Sequence, residues 1–178
     1  ASLGLALLCS VAAVFHVEEH VVGRTSNHYT AFNLDWHLDS EEFPAWKGQS
    51  VLAIDLENQR LIKAVSALAP SLIRIGGSEG DVAVYDVTGG VVIPEPTWLN
   101  FSSTCPGPFC LNMTRWDEIH AFCAQAGCSI AFGLNAAYGR GGREHPDPQR
   151  SWNMTLAAQL LEYSARKGYD LTNTLYGW

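Results

Sequence analysis

Apolar and polar positions in the first half of the chain follow a strand, helix, strand order. The mostly apolar run at residues 29–36 predicts a strand. At residues 56–68 the apolar positions recur at helical spacing, which predicts a helix that Pro70 ends. Residues 71–75 predict a second strand, stopped by Gly76 and Gly77. This order is typical of a parallel sheet whose strands are joined by helices.

The second half of the chain repeats the pattern. Residues 94–114 are rich in Pro, Ser and Thr and predict an exposed loop. Thr114 is the predicted N-cap of the next helix, because its hydroxyl can accept a hydrogen bond from the amide of Asp117. The remaining elements are a helix at 115–126 ended by Gly127, a strand at 129–135, a loop at 139–150, a helix at 154–167 ended by Gly168, and the start of a fourth strand at 175–178.

We therefore predict an α/β fold that forms the N-terminal half of a (β/α)8 barrel. Three strand and helix units plus the start of a fourth strand amount to about half of such a barrel, whose usual size is roughly 250 residues. A small doubly wound sheet is the competing architecture. The glycines at 76–80 have the wrong spacing for a phosphate-binding loop, and those at 139–142 lack its lysine, so nucleotide binding has no support.

The N-terminal residues have the character of a secretory signal. Residues 3–15 form an uncharged apolar run of 13 residues, shorter than the roughly 20 that cross a bilayer. Val11, Ala12 and Ala13 supply the small residues that signal peptidase prefers. We predict a partial signal peptide at 1–15, whose basic start is missing from the sequence, and an N-terminal segment at 16–28. A buried strand or helix is the alternative for the apolar run.

Composition is that of a globular, acidic protein. Of the 178 residues, 47% are hydrophobic and 16% are charged, which is enough apolar material for a core. Eleven Lys and Arg against 18 Asp and Glu give a formal net charge of -7. Such a charge repels a polyphosphate, so nucleic acid is not an expected partner.

Secretion makes disulfides the expected state of paired cysteines. The four cysteines beyond the signal form two C-x4-C pairs, whereas structural zinc sites favour a two-residue gap. Disulfides are therefore favoured over a zinc ribbon, and no metal is expected. Cys105 and Cys110 enclose a Pro-Gly-Pro-Phe turn that favours a local bridge between them. Cys123 and Cys128 lie at a predicted helix end and strand start, and their pairing stays open.

Three N-x-[ST] triplets fit the same compartment. They begin at Asn100, Asn112 and Asn153, and the first two lie in the stretch that predicts an exposed loop. Exposure is what N-glycosylation requires. We predict these three asparagines as glycosylation sites.

Several ordered sequence blocks resemble the heparanase-like glycoside hydrolases, especially those of plants and algae. The blocks are LIRIGGS at 72–78, VYD at 84–86, RWDEI at 115–119, FGLNA at 132–136, the segment 163–169, and YGW at 176–178. The resemblance implies a (β/α)8 barrel with an attached β-sandwich, to which the segment 16–28 would add the first strand. Residues 29–178 would then form the first half of the barrel. It also implies retaining hydrolysis of β-linked glucuronides, without a cofactor.

Retaining hydrolysis needs a carboxylic acid and a second carboxylate about 5 to 5.5 Å apart. The resemblance implies that the acid follows the YGW block within a few residues and that the nucleophile lies on a later strand. Both positions would lie beyond Trp178, so no catalytic residue is expected in this chain. We expect the chain to be the N-terminal part of a glycosidase and to be inactive alone.

The resemblance assigns substrate contacts to the ends of the first three strands. Asp35 matches a position that hydrogen-bonds the substrate, and Trp36 beside it could stack on a sugar ring. Ser78 keeps the hydroxyl of the usual Thr, and Asn135 closes the third strand with both a donor and an acceptor. Each has a structural alternative: Asp35, Ser78 and Asn135 suit turns, and Trp36 suits a core. Arg74, inside a strand predicted to be buried, is expected to need an acid partner.

Two functions follow from these observations. The first is a secreted β-glucuronidase that acts on a glucuronic-acid-containing polysaccharide, proteoglycan or glycoside. The second is a non-catalytic secreted glycoprotein that binds a glycan or a partner with the same barrel. The expected location is extracellular, or lysosomal or vacuolar through the secretory pathway. No transmembrane segment is expected, and peripheral membrane association is compatible with the sequence.

Overall fold

A three-stranded parallel sheet forms the centre of the computed structural model, which describes residues 20–37, 48–77, 80–89, 110–135 and 151–170. Helices follow the strands, as the sequence pattern predicts. The elements in chain order are β1 (Thr30–Asp35), α1 (Gln59–Ser66), β2 (Ser71–Gly76), a 3-10 helix (Gly80–Val82), β3 (Val84–Asp86), β4 (Cys110–Asn112), α2 (Met113–Ala126), β5 (Cys128–Phe132) and α3 (Thr155–Arg166).

Several predicted features lie outside the described residues. They are the signal peptide at 1–15, Ser78, Asn100, Cys105, the loop at 139–150 and the fourth strand at 175–178. These stay predictions. Within the described part, the architecture is mixed α/β with parallel sheets, which agrees with the predicted α/β class. The half-barrel stays a prediction.

The central sheet has the strand order β1-β2-β5, with both pairs parallel. The register places Asn33 beside Arg74 and Asp35 beside Gly76. A second, two-stranded parallel sheet joins β3 to β4. Sequence patterning predicts neither of these strands, and β4 with its buried Leu111 occupies the end of the stretch expected to be a loop. Strands of three residues are too short to show a period, so only their long-range pairing defines them.

The two faces of the central sheet differ in character. Ile73 and Ile75 on β2, and Ile130 and Phe132 on β5, are buried on one face. Trp116 of α2 packs against Phe132, with ring centroids 4.9 Å apart. The opposite face carries the half-buried Leu72 and four exposed side chains, namely Ala31, Asn33, Asp35 and Arg74. We call this second surface the open face.

Both α1 and α2 begin at asparagine caps. The Asn58 side chain accepts hydrogen bonds from the amides of Arg60 and Leu61 at 3.0 and 3.4 Å. Asn112 accepts from the amide of Arg115 at 2.8 Å. The prediction that Thr114 caps α2 is therefore wrong, because the helix begins two residues earlier. An amide oxygen serves this role as well as a hydroxyl does, so residue type gave no reason to prefer Thr114 to Asn112.

None of the helices in the described ranges combines the length and the apolar character that a membrane crossing needs.

Candidate functional site

The carboxyl ends of β1, β2 and β5 meet at one edge of the central sheet. Parallel strands bring their ends together at the same edge, and ligands of such sheets bind there. Trp36 N–H donates to the carbonyl of Gly76 at 2.8 Å, and Gly133 N–H donates to the carbonyl of Ile75 at 2.9 Å. These bonds continue the sheet past the strand ends. Of the predicted site residues, the structure brings Asp35, Trp36 and Asn135 to this edge.

Asp35 is the acid that this edge presents to solvent. Its side chain is exposed and lies on the open face, while its carbonyl accepts a hydrogen bond from the amide of Val51 at 2.8 Å. Gly77 lies beside it with a φ of 136°, where a side chain is strained. A Cβ built on Gly77 would fall 2.8 Å from Asp35 Oδ1. The absence of a side chain at 77 therefore leaves the space that the Asp35 carboxylate occupies.

Arg74 shares the open face with Asp35. Sequence reasoning placed it in a buried strand, but its side chain is exposed. The guanidinium runs over Gly76, since a Cβ built there would lie 3.2 Å from Arg74 Nη2. Gly76 is the register partner of Asp35, so a cation and an anion lie on neighbouring strands at the same edge. The sequence showed that residues 74 and 76 share one face of the strand, because side chains alternate along it. It did not show which face of the sheet would be exposed.

Trp36 is a core residue. Its side chain is 1% exposed, and its ring lies 6.4 Å from that of Phe132. This burial leaves no ring face for a sugar, so the stacking role expected for Trp36 is not what the structure shows. The reason is strand alternation, since position 36 continues the more buried face of β1 that carries Phe32 and Leu34. Its Nε1 has no hydrogen-bond partner among the described residues.

Asn135 joins β5 to the segment that follows β2. Its amide N–H donates to the Tyr85 hydroxyl at 2.8 Å, and its Nδ2 donates to the carbonyl of Ala83 at 2.7 Å. Trp152 Nε1 donates to the Asn135 carbonyl at 3.0 Å. Asn135 is 2% exposed, and burial raises the pKa of Tyr85 further above its usual value. The described contacts are those of a structural anchor, and the buried Oδ1 of Asn135 has no hydrogen-bond partner among the described residues.

A polar cluster on the helix side was missed by sequence reasoning. The Asp117 carboxylate of α2 accepts hydrogen bonds from Tyr163, Tyr169 and Lys167, with distances between 2.6 and 3.0 Å. We call these four residues the Asp117 cluster. Partial burial pushes the pKa of Asp117 up, but the three hydrogen bonds outweigh it and hold the pKa below its usual value. Burial and the Asp117 hydrogen bond raise the pKa of Tyr169 to about 12.

His120 adds an aromatic stack to the Asp117 cluster. Its ring is parallel to Tyr169 at a centroid distance of 3.8 Å, and the edge of Trp116 packs on it at 4.6 Å. Burial lowers the pKa of His120 to about 4, although the nearby Asp117 opposes this change. The cluster joins α2 to the end of α3. It lies on helices rather than at the carboxyl edge, so it supports the sheet and does not belong to the candidate site.

The cysteines are partly described. Cys110 is disulfide-bonded, and its partner lies outside the described residues, so the predicted bridge to Cys105 stays a prediction. Cys123 and Cys128 are free thiols with their sulfur atoms 2.6 Å apart. They lie in the last turn of α2 and at the first position of β5. Among the described residues, no group of three or more His, Cys, Asp or Glu is arranged to hold a metal ion.

Comparison with known proteins identifies the family. The model of the glycosyl hydrolase family 79 N-terminal domain matches residues 11–178. The chain belongs to glycosyl hydrolase family 79. It is 33% identical over 170 residues to heparanase-like protein 3 of Arabidopsis thaliana, covering 93% of this chain and 31% of that protein. The resemblance to heparanase-like hydrolases that the sequence blocks carry is thereby confirmed.

Two further relatives agree with this family. Heparanase-like protein 1 of Arabidopsis thaliana is 33% identical over 162 residues, covering 88% of this chain and 30% of that protein. The baicalin-beta-D-glucuronidase of Scutellaria baicalensis is 29% identical over 199 residues, covering 98% of this chain and 36% of that protein. The chain thus spans about a third of the length of these curated relatives. These matches support a glycoside hydrolase-like function.

Proposed function

We propose that this chain forms the N-terminal, substrate-binding part of a retaining β-glucuronidase of the heparanase-like type. The observation that carries the proposal is the exposed Asp35 at the carboxyl edge of a parallel sheet, with Arg74 beside it and Gly77 leaving room for its carboxylate. An acid at this edge can hydrogen-bond sugar hydroxyls. A guanidinium on the neighbouring strand can meet the carboxylate that distinguishes a uronic acid from a neutral sugar.

The open face supports a half-barrel arrangement. All-parallel sheets occur almost only with both faces covered, whereas α2 packs on one face and the other carries exposed polar groups. In a (β/α)8 barrel the helices cover the outer face and the strands' other face lines the interior, with the active site at the carboxyl ends. The open face would therefore be the barrel interior, closed by strands from the rest of the complete protein.

The chemistry requires groups beyond this part of the molecule. Retaining hydrolysis uses two carboxyl groups about 5 to 5.5 Å apart. Within the described carboxyl edge of the central sheet, Asp35 is the single acid. The acid/base and the nucleophile would come from other parts of the complete protein, and Asp35 would orient the substrate between them.

The substrate class follows from the relatives and from charge. One relative is named as acting on baicalin as a β-D-glucuronidase, and we extend the glucuronide part of that name to this chain. The net charge of -7 disfavours a long sulfated polyanion. The complete enzyme should therefore prefer lightly charged or terminal glucuronides to heparan sulfate. Arg140 and Arg143 are a basic pair in the loop predicted after the third strand, outside the described residues. If the complete enzyme does prefer heparan sulfate, this pair is the first candidate for its polyanion contact.

We also propose that the protein passes through the secretory pathway. The apolar run at 3–15, the paired cysteines and the three glycosylation triplets all favour it. Of the predicted glycosylation sites, Asn112 and Asn153 are exposed, and Asn100 lies outside the described residues. The protein would be extracellular, lysosomal or vacuolar, where it would meet glycans or glucuronide glycosides.

A kinetic comparison tests the function. The complete protein should hydrolyse a chromogenic β-glucuronide with retention at the anomeric carbon, and the 178-residue chain alone should show no turnover above a mock preparation. Asp35→Asn in the complete protein should lower kcat/KM at least tenfold. Asp55→Asn is the matched control, because Asp55 is exposed, belongs to no strand of the sheet, and as Asn would still accept the hydrogen bond from the Glu57 amide.

Two outcomes would overturn the proposal. Turnover by the chain alone would show that the catalytic acids lie within it. Glucuronide binding by the complete protein without any turnover would instead favour the non-catalytic glycoprotein. Substrate preference is tested separately, by comparing kcat/KM for a neutral-aglycone glucuronide and for heparan sulfate at equal low salt. A preference for heparan sulfate that the double variant R140A/R143A abolishes would contradict the charge argument.

A further inference from the structure

We propose that Cys123 and Cys128 form a disulfide that joins the last turn of α2 to the first residue of β5. The two thiols are free in the structure and face each other. This site differs from the C-x4-C pair that contains Cys110. Its closure would tie the helix that covers the sheet directly to the strand that ends at the candidate site.

The separation of the sulfur atoms is the first argument. They lie 2.6 Å apart, whereas non-bonded heavy atoms have their optimum at about 3.5–4.0 Å. A disulfide bond is about 2.05 Å long, so a small movement closes it. Two thiolates sharing one zinc ion at about 2.3 Å would lie about 3.8 Å apart. The geometry therefore favours a bridge and disagrees with the zinc alternative for this pair.

The backbone fixes this proximity. Gly127 joins α2 to β5 with a φ of 70°, and its amide donates a hydrogen bond to the carbonyl of Cys123. A Cβ built on Gly127 would lie 3.1 Å from the Cβ of Ala69, so the turn is tightly packed as well as hydrogen-bonded. Cys123 is buried and Cys128 is half-buried. The approach of the two thiols thus results from the helix end and the strand start, and does not depend on a mobile surface side chain.

A pocket gives a reagent access to the pair. Its volume is about 410 Å³, and it is lined by both cysteines together with His120 and Tyr169. Cys128 is the thiol suited to attack, because its contact with Cys123 lowers the pKa of Cys128, whereas the same contact and burial raise the pKa of Cys123. The oxidant we propose is a small-molecule disulfide such as oxidised glutathione.

The reaction balances as two thiol–disulfide exchanges. The Cys128 thiolate attacks one sulfur of the oxidant, breaks its S–S bond and releases one thiolate. Cys123 then loses its proton and attacks Cys128 Sγ in the mixed disulfide, which releases the second thiolate. The two cysteines together lose two protons and two electrons, and the oxidant disulfide is reduced to two thiols.

Peptide mapping of the complete protein tests the bridge. Trypsin yields one peptide from Trp116 to Arg140, because no Lys or Arg lies between them, and both cysteines are in it. The protein is treated with oxidised glutathione, denatured with excess alkylating agent and digested without reductant. The expected peptide carries no alkyl group and lacks two hydrogen atoms, and prior reduction should add two alkyl groups. Adding the oxidant in vitro separates this test from the proposed secretion.

Single variants provide the matched controls. Cys123→Ala should leave Cys128 with one alkyl group or one glutathione, and Cys128→Ala should do the same for Cys123. Two alkyl groups on the wild-type peptide after oxidation would overturn the proposal. A cross-link from either cysteine to a different peptide would also overturn it, because the partners would then be other than these two residues.

Discussion

Gly77 and Asp35 are fitted to each other at the carboxyl edge of the central sheet. A Cβ on Gly77 would lie 2.8 Å from Asp35 Oδ1 and also 2.8 Å from the carbonyl oxygen of Trp36. The contact with the Trp36 carbonyl can be relieved only by moving backbone, and the contact with Asp35 only by displacing its carboxylate. Glycine at 77 therefore permits the positive φ of the backbone and leaves the Asp35 carboxylate in its observed position.

Gly77→Ala in the complete protein should reduce both stability and kcat/KM. The backbone strain alone is worth about 1–3 kcal/mol, and the displaced carboxylate adds a catalytic loss. Gly89→Ala is the control, because Gly89 also has a positive φ of 75° but nothing within 4 Å of a built Cβ. Thermal unfolding and glucuronide kinetics distinguish them: we expect G89A to lose stability only. Equal kcat/KM values in the two variants would contradict the role of the Gly77–Asp35 contact.

Arg74→Ala should lower kcat/KM about ten- to hundredfold, the amount that corresponds to one lost hydrogen bond to a charged group. Arg74→Lys keeps the charge but loses the planar fork, so partial activity is expected. Arg60→Ala on the exposed surface of α1 is the control. The measurement is steady-state hydrolysis of a β-glucuronide by the complete protein. An R74A enzyme with wild-type kinetics would show that the guanidinium meets no anionic group.

Asp117→Asn should destabilise the complete protein by about 1–2 kcal/mol, because the three donors lose their charged acceptor. Glu118→Gln, one position further along α2, removes only an exposed ion pair with Arg115, of 2.7 Å, and should cost less than about 1 kcal/mol. Denaturant unfolding of both variants measures the difference. If the two substitutions cost the same, the Asp117 cluster does not join α2 and α3 energetically.

Acid should destabilise the protein in part through His120. Its folded pKa of about 4 lies below the ordinary value of 6.5, so the unfolded chain binds the proton first. The stabilising contribution of the neutral ring is full above about pH 6.5 and decreases as the pH falls towards 4. His120→Phe should remove this part of the pH dependence, measured as the difference in Tm between pH 7 and pH 5. An unchanged difference would contradict the assignment.

The isolated 178-residue chain should not unfold cooperatively. In the described part of the central sheet, β1 and β5 are the edge strands, and the open face is not covered. Unpaired strand edges and partly covered helix faces would need partners from the rest of the proposed barrel. Calorimetry and amide dispersion measure this directly. A sharp thermal transition of the monomer would show that the 178-residue chain is a stable unit by itself.

The sequence alone determined the order and type of the longer elements. Short apolar-rich runs located β1, β2 and β5, and the stops at Pro70 and Gly127 limited α1 and α2, because these signals are local and strong. The strand predicted at 29–36 also placed Asp35 near a strand end, where the structure has it. Local chemistry was therefore sufficient for the outline of the α/β fold and for one residue of the candidate site.

Only the tertiary structure decided which side chains the site exposes. Trp36 is buried because it packs towards Phe132, and Arg74 is exposed because its face of the sheet is open, and neither fact follows from residue type. The short strands β3 and β4 exist only through pairing across the intervening residues. The Asp117 cluster and the approach of Cys123 to Cys128 likewise depend on how α2 packs and ends, since contacts between elements leave no period in the sequence.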